Sequence, residues 1–330
     1  MQVEIEGGRF LIVGGASLVG SHCVRAFLEA GANEVIVLDP LAFDHGDSLG
    51  ELKDDARVSL VPGDIRNLHE LVEAAEGIDG AINLAAFMSL PLSRDPWTAI
   101  DVNVRGMQNV LEAARIRGVK KVLFASSSAV YGYGIGGEIT EELPLSSHGV
   151  PPAAVIYGCT KLIGEQLCRH YHKTFGLDFV ALRYSTVYGE GQHYRAANAL
   201  YIIEAYDRIR RGERPVIVGD GSEAKDYVYA GDVARANLLA MSRPVSNVAL
   251  NISGGDGITV KALTELIIRL SGADMEPEYR GNDGAVRLKS AADLRYVNAK
   301  AKEVLGWEPQ VSMEDGIRRL IAWRDANPPG

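Results

Sequence analysis

The stretch LIVGGASLVGSH, residues 11–22, runs from an apolar strand through glycines into a helix start, the shape of a dinucleotide-binding turn. Gly14 and Gly20 keep the six-residue separation of the outer glycines in a GxxGxxG turn. The first permits the tight turn after the strand. The last permits close packing of helix on sheet and leaves amides at the helix start for a pyrophosphate. Ser17 stands at the central position, where a missing side chain normally lets backbone approach phosphate, and its hydroxyl is expected to donate a hydrogen bond to the pyrophosphate. Glycine-rich turns are common, so the reading needs support from the rest of the chain.

The next apolar run, Glu34-Val-Ile-Val-Leu-Asp39, ends in an acid about 20 residues beyond the turn, where a carboxylate can accept both ribose hydroxyl protons. A carboxylate there repels a 2′-phosphate, which favours NAD over NADP; the alternative is that Asp39 merely caps the following loop. Strand-like runs then alternate with helical periodicity: a helix over 20–30, strands at 58–62 and 81–85, helices over 68–75 and around 99–117, a strand at 121–125, a helix over 155–175 and a strand at 179–183. Such alternation predicts an α/β fold, a Rossmann-type doubly wound parallel sheet with nucleotides at the carboxyl ends of its strands. After about residue 184 the pattern loses regularity. The expected organisation is a cofactor-binding domain over 1–183, completed by about 227–252, and a smaller carboxyl-terminal substrate lobe from 184–226 and 253–330.

Of the 330 residues, 47% are hydrophobic and 23% charged, ordinary for a globular protein, and the formal net charge is −9. That charge argues against nucleic acid or an acidic membrane as a general partner. The basic run Arg208, Arg210, Arg211 and Arg214 is interleaved with Ile209 and Glu213 and reads as a solvated helix face. Neither a signal-peptide core nor an apolar run of membrane-spanning length is present, which points to the cytoplasm. Cys23, Cys159 and Cys168 show no CxxC spacing and read as packing residues. His170 and His172, two apart on a helix, point away from each other, so no metal pair is indicated.

Two further segments carry chemistry. In Tyr157-Gly-Cys-Thr-Lys161 the four-residue spacing puts phenol and ammonium on one helix face. The ammonium is expected to lower the tyrosine pKa toward neutrality and make Tyr157 a usable acid or base; by itself the pair also fits a tyrosine packed in an amphipathic helix. Upstream, Phe124-Ala-Ser-Ser-Ser-Ala-Val-Tyr-Gly132 is a strand ending in hydroxyls, which can hydrogen-bond a substrate oxygen.

Together with GDIRN, NLAAF, DVNVRGMQNVLEAA, LRYSTVYGEGQ, GDGSEAKDYVYAGDVARA and AKEVLGWEP, these segments resemble the extended short-chain dehydrogenase/reductase superfamily, and within it the nucleotide-sugar epimerase/dehydratase group typified by UDP-glucose 4-epimerases. The resemblance spans nearly the whole chain. It implies NAD in the Rossmann lobe, a small-molecule substrate under the second lobe, and a homodimer joined through two long helices per subunit. By position it implies Asp39 on the adenosine ribose, Asp64 and Ile65 beside adenine, and Ala85 and Ala86 beneath the cofactor, with Asn103 close to it. Leu18, Val19 and Ser126 also match cofactor-lining positions. Ser127, Tyr157 and Lys161 match the catalytic set, with Lys161 also holding nicotinamide ribose. Tyr157 is implied to take a sugar hydroxyl proton while NAD takes the hydride, the keto sugar then turning over and receiving the hydride on its other face.

Departures from the family pattern direct the choice of reaction. Dehydratases place an Asp-Glu pair directly after the catalytic hydroxyl residue, where this chain has Ser128 and Ala129, so 4,6-dehydration is disfavoured. The epimerase patterns RYFNVYG and RDY carry an Asn and an Arg toward the nucleotide diphosphate, where this chain has Thr186 and Lys225. Lysine keeps the charge but loses the bidentate fork. Ser128, Thr186, Lys225 and Arg287 are the substrate-side candidates. The leading expectation is an NAD-dependent epimerase acting at carbon 4 of a nucleotide-linked sugar. The alternatives are an NAD-dependent dehydrogenase of a free sugar acid, polyol or specialised-metabolite alcohol, and a nucleotide-binding regulator that has lost turnover.

Overall fold

The structure, a computed structural model, describes residues 2–42, 46–133, 136–192, 200–281 and 293–328. Seven β-branched, apolar runs pair into one parallel sheet: β1 (Arg9–Val13), β2 (Glu34–Asp39), β3 (Val58–Pro62), β4 (Gly80–Asn83), β5 (Lys121–Ser127), β6 (Asp178–Tyr184) and β7 (Val248–Ile252). Their order is β7-β6-β5-β4-β1-β2-β3, so the chain reverses direction across the sheet between β1 and β4. That reversal opens a crevice at the carboxyl ends of the strands, the place where open α/β sheets hold ligands. Strand β5 runs two residues past the predicted end, because Ser126 and Ser127 still pair with Arg183 and Tyr184 of β6.

Helices cover both faces. On one, α1 (Leu18–Glu29) buries Cys23, Val24, Phe27 and Leu28 with Val233, Ala236, Ala240 and Met241 of the Ala230–Ser242 helix. On the other, Leu71, Val110, Leu111, Ala114, Cys168 and Tyr171 close over β4, β5 and β6. Each large apolar side chain buried this way contributes about 1.5–3 kcal/mol relative to exposure. Cys23 and Cys168 are among the buried packing residues, and all three cysteines are free thiols.

The helix expected around 99–117 is divided. Pro96–Ile100 is capped by the Asp95 carboxylate, which accepts from Thr98 N at 3.0 Å. A π-helical turn, Asp101–Gly106, follows, and α2 (Met107–Arg117) completes the run. The long helix α3 (Pro152–Phe175) begins three residues earlier than expected, since Pro152 suits a first helical turn.

A second cluster forms beyond β6. Tyr188, Ile202, Ile203, Tyr206, Leu263, Ile267, Ile317 and Leu320 join the helices Leu200–Arg210, Val260–Ser271 and Met313–Ala326. Asp232 ties this part to the Ala230–Ser242 helix: its carboxylate accepts from Gln310 N at 3.0 Å and Val311 N at 2.9 Å. The run of arginines at 208–214 is held by local partners, including Glu213 for Arg208 and Arg211 and Asp325 for Arg210.

Candidate active site

The turn after β1 has the shape its glycines imply. Gly14 adopts φ +77, and a Cβ there would meet Ala85 N at 2.6 Å; a Cβ on Gly20 would meet Gly15 O at 2.1 Å. Ser17 corrects its expectation. Its hydroxyl donates to Gly14 O at 2.8 Å and accepts from Gly20 N at 3.2 Å, so its proton is spent inside the turn and the side chain is the N-cap of α1. The cap satisfies one amide and leaves those of Leu18 and Val19 at the positive end of the helix, where a diphosphate is stabilised. Asp39 ends β2 beside this turn, its carboxylate accepting from Ala16 N at 3.2 Å and Leu41 N at 2.9 Å. The close approach at Gly14, the uncovered amides and the buried carboxylate together fit a dinucleotide with an unphosphorylated ribose.

A cavity of about 220 Å³ leads from this turn to the predicted chemical groups. Ser17, Leu18, Val19 and Ala86 line one end, and Ser126, Ser127, Tyr157 and Lys161 the other. The turn residues Ser17, Leu18 and Val19 lie more than a hundred residues before Ser126 in the chain, and the two groups meet at the crevice between β1 and β4. Ala85 N lies beside the turn and donates to Val13 O at 3.1 Å. Asn103, in the π-helical turn, accepts from Phe87 N at 2.8 Å and donates to Phe87 O at 2.8 Å and Thr160 Oγ1 at 3.1 Å. It therefore pins the loop after β4 to α3. Asp64 and Ile65 lie elsewhere on the sheet edge: Asp64 pairs with Arg66 at 2.5 Å, and Ile65 packs against Gly106.

The electrostatics of the Tyr157–Lys161 pair differ from the sequence expectation. Burial pushes the Tyr157 phenol well above its ordinary value, and a hydrogen bond with Ser127 draws it only partly back. Burial also pushes Lys161 down, to about 7, against the opposing pull of Glu165. Lys161 Nζ donates to Ala125 O at 2.7 Å and stands 5.8 Å from the Tyr157 ring centroid. Desolvation thus outweighs attraction at this pair, and the ammonium does not by itself activate the phenol.

Among the described residues, the substrate-side candidates Ser128, Thr186 and Lys225 do not line this cavity. Ser128 hydrogen-bonds Tyr296. Thr186 does not line the cavity, whereas its neighbours Ser185 and Val187 do, as alternation along an extended chain requires. Lys225 is exposed and lies 3.6 Å from Glu223. Arg287 falls outside the described residues. Sequence reading missed Glu165, one helical turn beyond Lys161, and its partner Arg183, although the four-residue spacing from Lys161 was available as a signal. A larger cavity, about 830 Å³, lies beside α1 and is lined by His22, Arg25, Glu190 and Trp323. It contains none of the predicted catalytic groups, and its His22 ring is bonded to Glu190 O at 3.0 Å.

Comparison with known proteins agrees with this architecture. The NAD dependent epimerase/dehydratase family matches residues 10–253. A UDP-glucuronate 4-epimerase from Thermodesulfobacterium geofontis is 32% identical over 330 residues, covering 97% of each chain. Among solved structures, a UDP-glucose 4-epimerase from Thermotoga maritima with UDP-glucose superposes with a TM-score of 0.83 at 30% identity, over 96% of this chain and 99% of that one. A dTDP-glucose 4,6-dehydratase from Streptomyces venezuelae with NAD bound gives a TM-score of 0.83 at 29% identity, over 97% of each chain. With a glycine turn beside Asp39 and with Ser127, Tyr157 and Lys161 lining the cavity that begins at that turn, the chain belongs to the NAD dependent epimerase/dehydratase family and is an NAD-dependent enzyme.

Proposed function

We propose that this enzyme inverts carbon 4 of a nucleotide-linked sugar. The observation that carries the choice is the convergence of Ser127, Tyr157 and Lys161 on the cavity that begins at the cofactor turn, with Ser128 and Ala129 where a dehydratase needs acids. The similarity to UDP-sugar 4-epimerases supports it. NAD, when bound, supplies the two-electron acceptor for a transient oxidation of the sugar. Tyr157 Oη, in its phenolate form, would take the proton of the reacting hydroxyl and return it after the keto sugar has turned over; burial holds the phenol protonated, so the positive charge of the bound cofactor would be needed beside Lys161 to favour that form. Ser127 hydrogen-bonds the reacting oxygen, and Lys161 holds the nicotinamide ribose and offsets charge on the phenolate. Gly14, Ser17, Leu18, Val19, Gly20 and Asp39 hold the diphosphate and the adenosine ribose, the hydroxyl of Ser17 acting through the turn. Asp64 and Ile65 flank adenine, while Ala85, Ala86, Asn103 and Ser126 shape the floor.

Thr186, Lys225 and Arg287 remain proposals for the diphosphate end of the substrate, and Ser128 for its sugar end. We assign 1–183 with 227–252 to the cofactor lobe and the rest to the substrate lobe. We further propose a homodimer, supported by the exposed apolar side chains of Ile156 and Ile163 on α3, and a cytoplasmic location, supported by three free thiols. Incubating the NAD-loaded protein with UDP-, GDP- and dTDP-sugars, and resolving the products, tests the reaction; an unchanged panel sinks it. Exposed Lys225 and the absence of Thr186 from the cavity lining favour a second reading, a dehydrogenase on a sugar lacking a diphosphate. Stoichiometric NADH formation with a free sugar acid or polyol would select it.

A further inference from the structure

Behind the catalytic strand end lies a buried chain of polar groups that, Ser126 apart, the reaction scheme does not use. Ser126 Oγ donates to Glu165 Oε1 at 2.6 Å, and Arg183 forks onto the same carboxylate, Nε to Oε1 at 2.8 Å and Nη2 to Oε2 at 2.7 Å. Arg183 Nη1 donates onward to Tyr131 Oη and Glu141 O, each at 2.9 Å, and Tyr131 donates to Asn251 Oδ1 at 2.5 Å. Glu165 is 1% and Arg183 7% exposed. The chain ties β5, α3, β6, the turn Ser128–Tyr131 and β7 together at the carboxyl end of the sheet.

Stability alone is a weak reason for such a cluster, because a buried ion pair can often be replaced by apolar residues at no loss. Its placement is more informative. Ser126 is the immediate neighbour of Ser127, and Glu165 follows Lys161 by one turn on the same face of α3. The helix also presses closely on the strand here: a Cβ on Gly164 would meet the Phe124 ring at 2.4 Å. The groups facing Lys161 are Tyr157 and Glu165 from its own helix and, from β5, the Ala125 carbonyl and the Phe124 ring, 5.1 Å from Nζ. Arg183, from β6, is spent on Glu165 and Tyr131. Glu165 is therefore the charged group that acts on Lys161.

We propose that Glu165 is a positioning residue for the reaction: clamped by Ser126 and Arg183, its carboxylate fixes the strand end that carries Ser127 and sets a fixed negative charge one turn behind Lys161. The proposal rests on the catalytic reading of Lys161 given above. Its test uses NAD binding as well as turnover, so that a wrong substrate assignment leaves the binding arm intact. Glu165→Gln removes the charge and keeps the shape; the double variant Glu165→Gln with Arg183→Met removes both charges, so that no ion is left buried alone. Glu165→Asp and Ser126→Ala retain the charge.

NAD affinity is measured by calorimetry from about pH 6 to pH 10, and kcat and KM with an accepted nucleotide-sugar. In the wild type, affinity falls as pH rises and Lys161 loses its proton. In Glu165→Gln the fall is expected about one pH unit lower, and in the double variant lower by a smaller step because the Arg183 cation is lost too, with kcat reduced about tenfold or more and KM changed less than about threefold in both. Glu165→Asp is expected to restore the wild-type position of the fall, and Ser126→Ala to lower kcat without moving it. Melting curves at pH 6 identify the folded variants. An unmoved affinity profile in whichever charge-removing variant folds would overturn the proposal, as would a shifted profile in Glu165→Asp.

Discussion

At the scale of single residues, burial rather than spacing sets the chemistry. Burial pushes the pKa of Lys161 down to about 7 in the folded protein, from an ordinary value of 10.5. Between these values the unfolded chain binds a proton that the folded chain refuses. The resulting cost is absent above about pH 10.5, grows as pH falls, and is complete below about pH 7. Replacing Lys161 by Met should therefore raise the melting temperature of the NAD-free protein more at pH 7 than at pH 10.5, while abolishing turnover; calorimetric scans at the two pH values check it. Asp39 is the other residue on which function turns. Ala16 N and Leu41 N donate to different oxygens of Asp39, so Asp39→Asn keeps an acceptor for only one of them and loses the charge; NAD should bind about ten- to a hundredfold more weakly and the preference over NADP should shrink, as paired titrations would reveal.

At the scale of elements, helix α1 illustrates how one substitution can serve the fold and spare the site. A serine at the central glycine position adds a side chain where phosphate approaches, yet its hydroxyl turns inward to cap the helix. Ser17→Ala is expected to cost about 1 kcal/mol of stability and Ser17→Gly only a few tenths, with NAD affinity changing less than about tenfold in either. Urea unfolding with parallel NAD titration tests this, and a far larger loss of affinity in Ser17→Ala would restore the hydroxyl as a direct phosphate ligand. On β5, Lys121 serves a different helix end. Its fully buried Nζ donates to the carbonyls of Ala240, Met241 and Arg243, where the Ala230–Ser242 helix ends and positive charge is favoured. The strand that delivers the catalytic serine is thereby anchored at its opposite end.

At the scale of the whole molecule, the sheet order places the cofactor turn on β1 and the reacting groups on β5 and α3 to either side of one crevice. On the outside of α3, Ile156 and Ile163 are exposed, whereas Leu167 and Tyr171 turn toward the core. The stripe foreseen over Ile163, Leu167 and Tyr171 is thus divided between surface and interior, as the 100° step of a helix allows. Ile163→Glu should shift the proposed dimer to monomer in sedimentation analysis without altering the fold; an unchanged mass would remove α3 from the interface.

The sequence by itself determined the parallel sheet, the helix that starts at the glycine turn, and the placing of Asp39, Ser127, Tyr157 and Lys161 at strand ends or on one helix face. These follow from local periodicity and from residue types whose backbone and chemical requirements are strong. The inward turn of the Ser17 hydroxyl, the lowering of the Lys161 pKa by burial and the clamp of Ser126 and Arg183 on Glu165 were decided by the tertiary structure. Each depends on desolvation, or on partners brought together from distant strands, and no spacing along the chain encodes how much water is excluded when they meet.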